Sequence, residues 1–135
     1  MLEAAKEALK NYQTPPLLIA VTILTSLSKE DLYQLCLDDL SHQVLKLANL
    51  SYECELDGVV CASTDTVAIK EKFGDKFITV KPGIRPKESN LNDQIRVSTP
   101  RQAIKNGSDY LVIGRPITGS NDPAEALRNI YKEIV

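Results

Sequence analysis

Apolar and polar positions along this chain alternate between two periods. Leu2, Ala5, Leu9 and Tyr12 fall on one helical stripe, with Glu3, Lys6, Glu7 and Lys10 off it, which predicts an amphipathic outer helix over residues 2 to about 12. After Pro15 and Pro16 a continuous apolar run, Leu17 to Thr22, reads as a buried strand. Ser28 and Asp31 have the spacing of a capped helix start, with Leu32 on its apolar face. Leu40, Val44, Leu47 and Ala48 then mark a longer covering helix, with His42, Gln43 and Lys46 on its other side. A second strand is expected near 56–61, followed by a helix that Ser63 or Thr64 caps and Gly74 ends. The third strand is expected near 77–80 and the fourth near 109–113, with a helix opened by Thr99-Pro100 between them. Asp122-Pro123 starts the last helix, for which Leu127, Ile130, Tyr131 and Ile134 form the expected buried stripe.

Four strands alternating with helices predict an α/β fold with a parallel sheet and right-handed crossovers, in a single segment spanning 1–135. A sheet of this kind offers its ligand site at the carboxyl ends of the strands, whether open or closed into a barrel. The residues expected there are Thr25-Ser26, Ala62-Ser63, the long polar loop from Pro82 to Val97 with Arg85 and Gln94, and Gly114-Arg115. A nonperiodic loop of that length is more often a working loop than a connector. Leu111-Val112-Ile113 reads as a strand covered on both faces, and it stops abruptly at Gly114-Arg115-Pro116. That ending suits either an anion reader or a plain strand end with a solvated arginine. Thr25 suits a ligand's polar edge or the cap of the following turn, and Arg85 suits ligand contact or a brace for its loop.

Composition narrows the chemistry. The chain has 135 residues, 16 basic and 18 acidic, a formal charge of -2 and a pI near 5.4, so it lacks the basic field of a nucleic-acid binder. No apolar run approaches the length of a membrane span and no signal peptide opens the chain, so a cytoplasmic protein with no membrane partner is expected. Met1 leads directly into a helical pattern without a capping residue, as an internal segment of a longer protein does. Cys36, Cys54 and Cys61 show no metal-ligand spacing and read as reduced thiols; Asp38 and Asp39 are adjacent and diverge on a helix, so no metal site is expected. The expected rim carries arginines, a carboxamide, hydroxyls and glycines, with no carboxylate pair, histidine or reactive cysteine. That set fits a phosphorylated small molecule.

Several stretches together carry a resemblance. Leu17 to Ser26, Leu56-Asp57-Gly58-Val59-Val60-Cys61, Pro82-Gly83-Ile84-Arg85-Pro86, Asp93-Gln94, Thr99-Pro100 and Ile113 to Thr118 followed by Asp122-Pro123 closely resemble orotidine 5′-phosphate decarboxylase, in the order and spacing of its bacterial branch. The resemblance implies the C-terminal half of a TIM (β/α)8 barrel. It further implies a homodimeric enzyme that converts orotidine 5′-monophosphate to uridine 5′-monophosphate in pyrimidine biosynthesis, with no metal or organic cofactor. By motif match, Gln94, Arg115 and the Gly114 backbone would hold the 5′-phosphate, Arg85 falls in the phosphate-gripping loop, and Thr25 would meet the pyrimidine edge. The family's proton donor is a lysine in an Asp-x-Lys-x-x-Asp motif within an array of aspartates and lysines, and no such motif occurs in this chain. The resemblance therefore implies the phosphate-gripping half of the enzyme without its catalytic residues. The alternative is a noncatalytic half-barrel module that pairs with itself or with a separate first half, and a more remote one is a phosphate-binding barrel enzyme of the ribulose-phosphate type.

Overall fold

The structure, a computed structural model, describes residues 1–34, 39–87 and 95–135. Gln94, Cys36 and Asp38 lie outside the described residues. In chain order the elements are α1 (Leu2–Leu9), β1 (Ile19–Val21), α2 (Lys29–Gln34), α3 (Leu40–Glu53), β2 (Gly58–Val60), α4 (Ser63–Phe73), β3 (Ile78–Lys81), α5 (Pro100–Lys105), β4 (Tyr110–Leu111), α6 (Arg115–Thr118) and α7 (Pro123–Ile134). β1, β2 and β4 are shorter than the apolar runs that announce them, while β3 keeps the expected length; the run ends still bond to the neighbouring strand, as the Thr22 and Val112 amides do by donating to the Val60 and Lys81 carbonyls. All pairings are parallel, and the order across the sheet is β1-β2-β3-β4, the order of the sequence. A doubly wound sheet reverses its strand order somewhere; one that never reverses is the arrangement of a (β/α) barrel wall.

Local chemistry fixes the helix starts. Ser28 and Asp31 form the reciprocal pair of a capping box: the Asp31 amide donates to Ser28 Oγ at 3.1 Å and the Ser28 amide donates to Asp31 Oδ2 at 2.8 Å. Thr99 Oγ1 accepts from the Gln102 amide at 3.2 Å, and Asp122 Oδ1 accepts from the Glu125 amide at 2.9 Å, each just ahead of a proline in the first turn. α3 is capped by Asp39, whose Oδ1 accepts from Ser41 and His42. At α4 neither expected cap operates: Ala62 is the N-cap residue and Ser63 already lies inside the helix, where its Oγ accepts from Asn106 Nδ2 at 3.1 Å. The four-residue α6, beginning at Arg115, is not among the elements expected from the sequence.

The two faces of the sheet differ. Ala20, Val59 and Thr79 share one register row, and the face they define packs under α3 and α4 in a core of Val44, Ala48, Val59, Cys61, Ile69 and Phe77. β3 alternates half-buried Ile78 and Val80 with buried Thr79 and Lys81, the twofold period of a strand. On the opposite face Val21, Val60, Val80 and Tyr110 form another row, of which Val21 is 57% and Tyr110 53% exposed. Val112, two residues beyond Tyr110, is 52% exposed. The expected burial of the Leu17 to Thr22 strand, and of Leu111 to Ile113 on both faces, is therefore corrected: among the described residues helices cover one face only, and Leu17 is exposed as well. The stripe on α7 is corrected too, since Ile130 is buried while Leu127 and Tyr131 are exposed.

The amino end of the sheet is tied by polar groups. Asp109 Oδ2 accepts from Lys70 Nζ at 2.7 Å and from the amide and hydroxyl of Thr79 at 2.7 and 2.9 Å. Burial alone would push this carboxyl up, but the bonds from Lys70 and Thr79 outweigh it and hold Asp109 below its ordinary value. Asp57 Oδ2 likewise accepts from the Leu18 amide at 2.6 Å, joining β1 to β2. These carboxylates sit at the end of the sheet away from the carboxyl rim and serve the fold.

Candidate functional site

At the carboxyl ends of the strands lies an open cleft of about 350 Å³. Its lining joins the loop after β1 (Ile23, Leu24, Thr25, Ser26), the end of β2 (Val60), the start of the long loop after β3 (Pro82, Gly83, Arg85) and the chain after β4 (Val112, Gly114, Arg115). Four of the residues singled out from the sequence, Thr25, Arg85, Gly114 and Arg115, thus meet in one place. Ser26 joins them, whereas Ser63 is buried, its carbonyl and hydroxyl accepting from Asn106 Nδ2, and does not.

Each wall is set by its backbone. Thr25 and Arg85 are both 6% exposed, so they form the inner part of the cleft. The Arg85 amide donates to the Ser98 carbonyl at 2.9 Å, within a parallel bridge between Ile84 and Ser98 that closes the base of the long loop. Arg85 Nη1 donates to the Ile84 carbonyl at 2.9 Å, which turns the guanidinium back along its own loop. Gly114 and Arg115 are exposed at the opposite wall. A Cβ built on Gly114 would meet nothing within 4 Å, so glycine is not demanded there by packing; what it preserves is room beside the backbone for a ligand. The ensemble presents two guanidinium groups, a buried hydroxyl and apolar walls, a combination that suits a phosphorylated molecule with a flat or apolar body.

Behind the cleft stands a polar cluster that the sequence reading missed. Arg96 Nη1 donates to Asp65 Oδ2 at 2.8 Å, with both side chains at most a tenth exposed. Arg96 Nη2 donates to the carbonyls of Ile23 at 3.1 Å and Leu24 at 3.2 Å, and its amide donates to the Thr25 carbonyl at 3.2 Å. Lys81, fully buried at the end of β3, donates from Nζ to the Pro82 carbonyl at 2.7 Å and to the Arg96 carbonyl at 3.5 Å. Burial pushes the Lys81 ammonium down to about 8 and the neighbouring Cys61 thiol up to about 11. A thiol held that high stays protonated near neutral pH and is no nucleophile. The available signal was the lysine directly after the apolar run 77–80, but the alternation that buries it becomes definite only with the strand's register. Among the described residues no group of three or more His, Cys, Asp and Glu is placed to hold a metal ion, and no helix is long and apolar enough to cross a membrane.

Comparison with known proteins bears on what this rim belongs to. The profile of the orotidine 5′-phosphate decarboxylase / HUMPS family matches residues 1–130. The chain belongs to that family. Among curated relatives, orotidine 5′-phosphate decarboxylase of Saccharophagus degradans is 49% identical over 135 residues, which cover 99% of this chain and 57% of the relative. That of Wigglesworthia glossinidia brevipalpis is 47% identical, with 58% of its length covered. Among solved structures, orotidine 5′-phosphate decarboxylase from Lactobacillus acidophilus superposes with a TM-score of 0.78 at 37% identity, over 99% of this chain and 58% of that one. The chain thus spans somewhat more than half the length of the family members it matches. Its four parallel strands in sequential order are the C-terminal half of a TIM barrel, and the row of Val21, Val60, Val80 and Tyr110 lies on the face away from α3 and α4, with Val21 and Tyr110 exposed.

Proposed function

We propose that this chain supplies the phosphate- and pyrimidine-binding part of an orotidine 5′-phosphate decarboxylase, the enzyme that forms uridine 5′-monophosphate in pyrimidine biosynthesis. The observation that supports the reading is the convergence of Thr25, Arg85, Gly114 and Arg115 on one cleft at the carboxyl rim. In this role Arg115 engages the 5′-phosphate beside the open backbone of Gly114, together with Gln94. Arg85 adds positive charge at the inner wall, and the Thr25 hydroxyl meets the polar edge of the pyrimidine. Phosphate contacts made far from the reacting carbon lower the barrier when they tighten in the transition state or hold the substrate in place for it. The proton donor, by the family's motif, is a lysine among aspartates in an Asp-x-Lys-x-x-Asp segment, which does not occur in this sequence. Neither metal nor organic cofactor enters this mechanism, and in the complete enzyme the barrel is expected to work as a homodimer.

Two results test the proposal. Incubated alone with orotidine 5′-monophosphate, the chain is expected to give no carbon dioxide above the uncatalysed background, and robust turnover would remove the division of labour. Arg115→Ala should weaken binding of uridine 5′-monophosphate by roughly tenfold to a hundredfold, the worth of a charge-assisted pair with phosphate; calorimetry returning an unchanged affinity would exclude Arg115 from the site.

A second reading is favoured by the uncovered sheet face and by β1 and β4, each of which pairs with only one other strand among the described residues. Open strand edges and apolar faces invite pairing. On this reading the chain is a noncatalytic half-barrel that completes itself with a second copy or a separate first half. A monodisperse dimer in sedimentation, with slowly exchanging core amides, would favour it; a monomer with the same protection would count against self-pairing.

A further inference from the structure

Resting on the proposed nucleotide site, we propose that Arg96 is a positioning residue that sets the inner wall of the cleft by tying two rim loops to the start of α4 from behind. Its side chain does not line the cleft; it joins the loops after β1 and β3, which do, to the first turn of α4. One arm of the guanidinium holds Asp65, on the first turn of α4 just after β2. The other arm holds the carbonyls of Ile23 and Leu24 in the loop after β1, and the Arg96 amide holds the next carbonyl, that of Thr25. Arg96 itself belongs to the returning end of the long loop after β3, whose base is closed by the amide of Ser98 on the Gly83 carbonyl and by Lys81 Nζ on the carbonyls of Pro82 and Arg96.

Three consecutive carbonyls, Ile23 to Thr25, therefore point back at one residue, and this orientation leaves the Thr25 side chain at the cleft. A guanidinium is suited to the task because its planar fork reaches a carboxylate and backbone carbonyls at once, whereas an ammonium is a point donor. A buried ion pair is weak evidence of net stability, since desolvation offsets the attraction, but it specifies geometry. Among the bonds of the described residues, those from Arg96 go to Asp65 and to the loop after β1. The expected consequence is that Arg96 governs the fit of the nucleoside end of a ligand and leaves the phosphate end largely alone.

The test compares the unsubstituted chain with Arg96→Gln and Arg96→Lys by amide hydrogen exchange and by titration. The Leu27 amide, which closes the turn after β1 onto the Leu24 carbonyl, is expected to exchange at least tenfold faster in Arg96→Gln, while the Cys61 and Asp109 amides within the sheet stay within about twofold. Arg96→Lys keeps the charge beside Asp65 but loses the fork, and should show the same loss at Leu27. Uridine 5′-monophosphate affinity should fall at least fivefold in both variants, with inorganic phosphate affinity unchanged. Equal acceleration of all these amides, unchanged exchange at Leu27, or equal loss of both ligands would overturn the proposal. If the unsubstituted chain binds neither ligand, the nucleotide reading fails, and the exchange pattern alone decides whether Arg96 holds the loop.

Discussion

Gly58→Ala is expected to cost about 3 kcal/mol or to prevent folding altogether, the upper range for overpacking a site that cannot relax. Gly58 lies in β2, fully paired with β1 and β3, and a Cβ there would overlap the backbone carbonyl of Ile78 and crowd the Ile78 side chain. The obstacle is main chain held in a ladder of hydrogen bonds, so it cannot swing aside as a long side chain does. Urea unfolding at neutral pH provides the check: a midpoint close to that of the unsubstituted chain would show that the sheet is looser at this point than described. Gly114→Ala makes the control, because open space surrounds that position and the fold should tolerate it.

The alkaline limb of stability should reveal two buried groups acting in opposite directions. Burial lowers the Lys81 ammonium from 10.5 to about 8, so between those values the unfolded chain holds a proton that the folded chain has released, and stability rises with pH across that window. Burial raises the Cys61 thiol from 9.0 to about 11, so there the folded chain holds the extra proton, and stability falls with pH from 9.0 upward. Each shift corresponds to about 3 kcal/mol when complete. In the unsubstituted chain the two offset each other between pH 9.0 and 10.5. Cys61→Ala should therefore gain on the order of 2–3 kcal/mol between pH 8 and 10.5, whatever its stability at neutral pH, whereas Lys81→Met should lose a similar amount between pH 9 and 11. Denaturant midpoints across this range supply the measurement, and parallel pH profiles for the two variants would contradict the described burial.

How much of this was legible beforehand follows from the kind of signal each feature leaves. Helix starts were readable where a side chain caps its own turn, as at Ser28, Thr99 and Asp122, because that chemistry is local. The parallel α/β architecture was readable from alternating periods, and the cleft followed from it, since a parallel sheet delivers the ends of all its strands to one rim. Covering was misjudged at Val21, Val112 and Leu17, because an apolar run reports that a residue can be buried and not what buries it. The Arg96 cluster was not readable, since Asp65 and Ile23 reach Arg96 only when two loops and the start of α4 meet, at sequence separations of 31 and 73 residues.

The functional account rests on the rim being a site for a nucleotide monophosphate, and titration of the isotopically labelled chain with uridine 5′-monophosphate, followed through its amide resonances, tests that most directly. Saturable shifts are predicted at Thr25, Ser26, Arg85, Gly114 and Arg115, which line the cleft, with little change at Asp57 and Asp109 on the opposite end of the sheet. Shifts scattered over both ends of the sheet, or none at millimolar nucleotide, would contradict it.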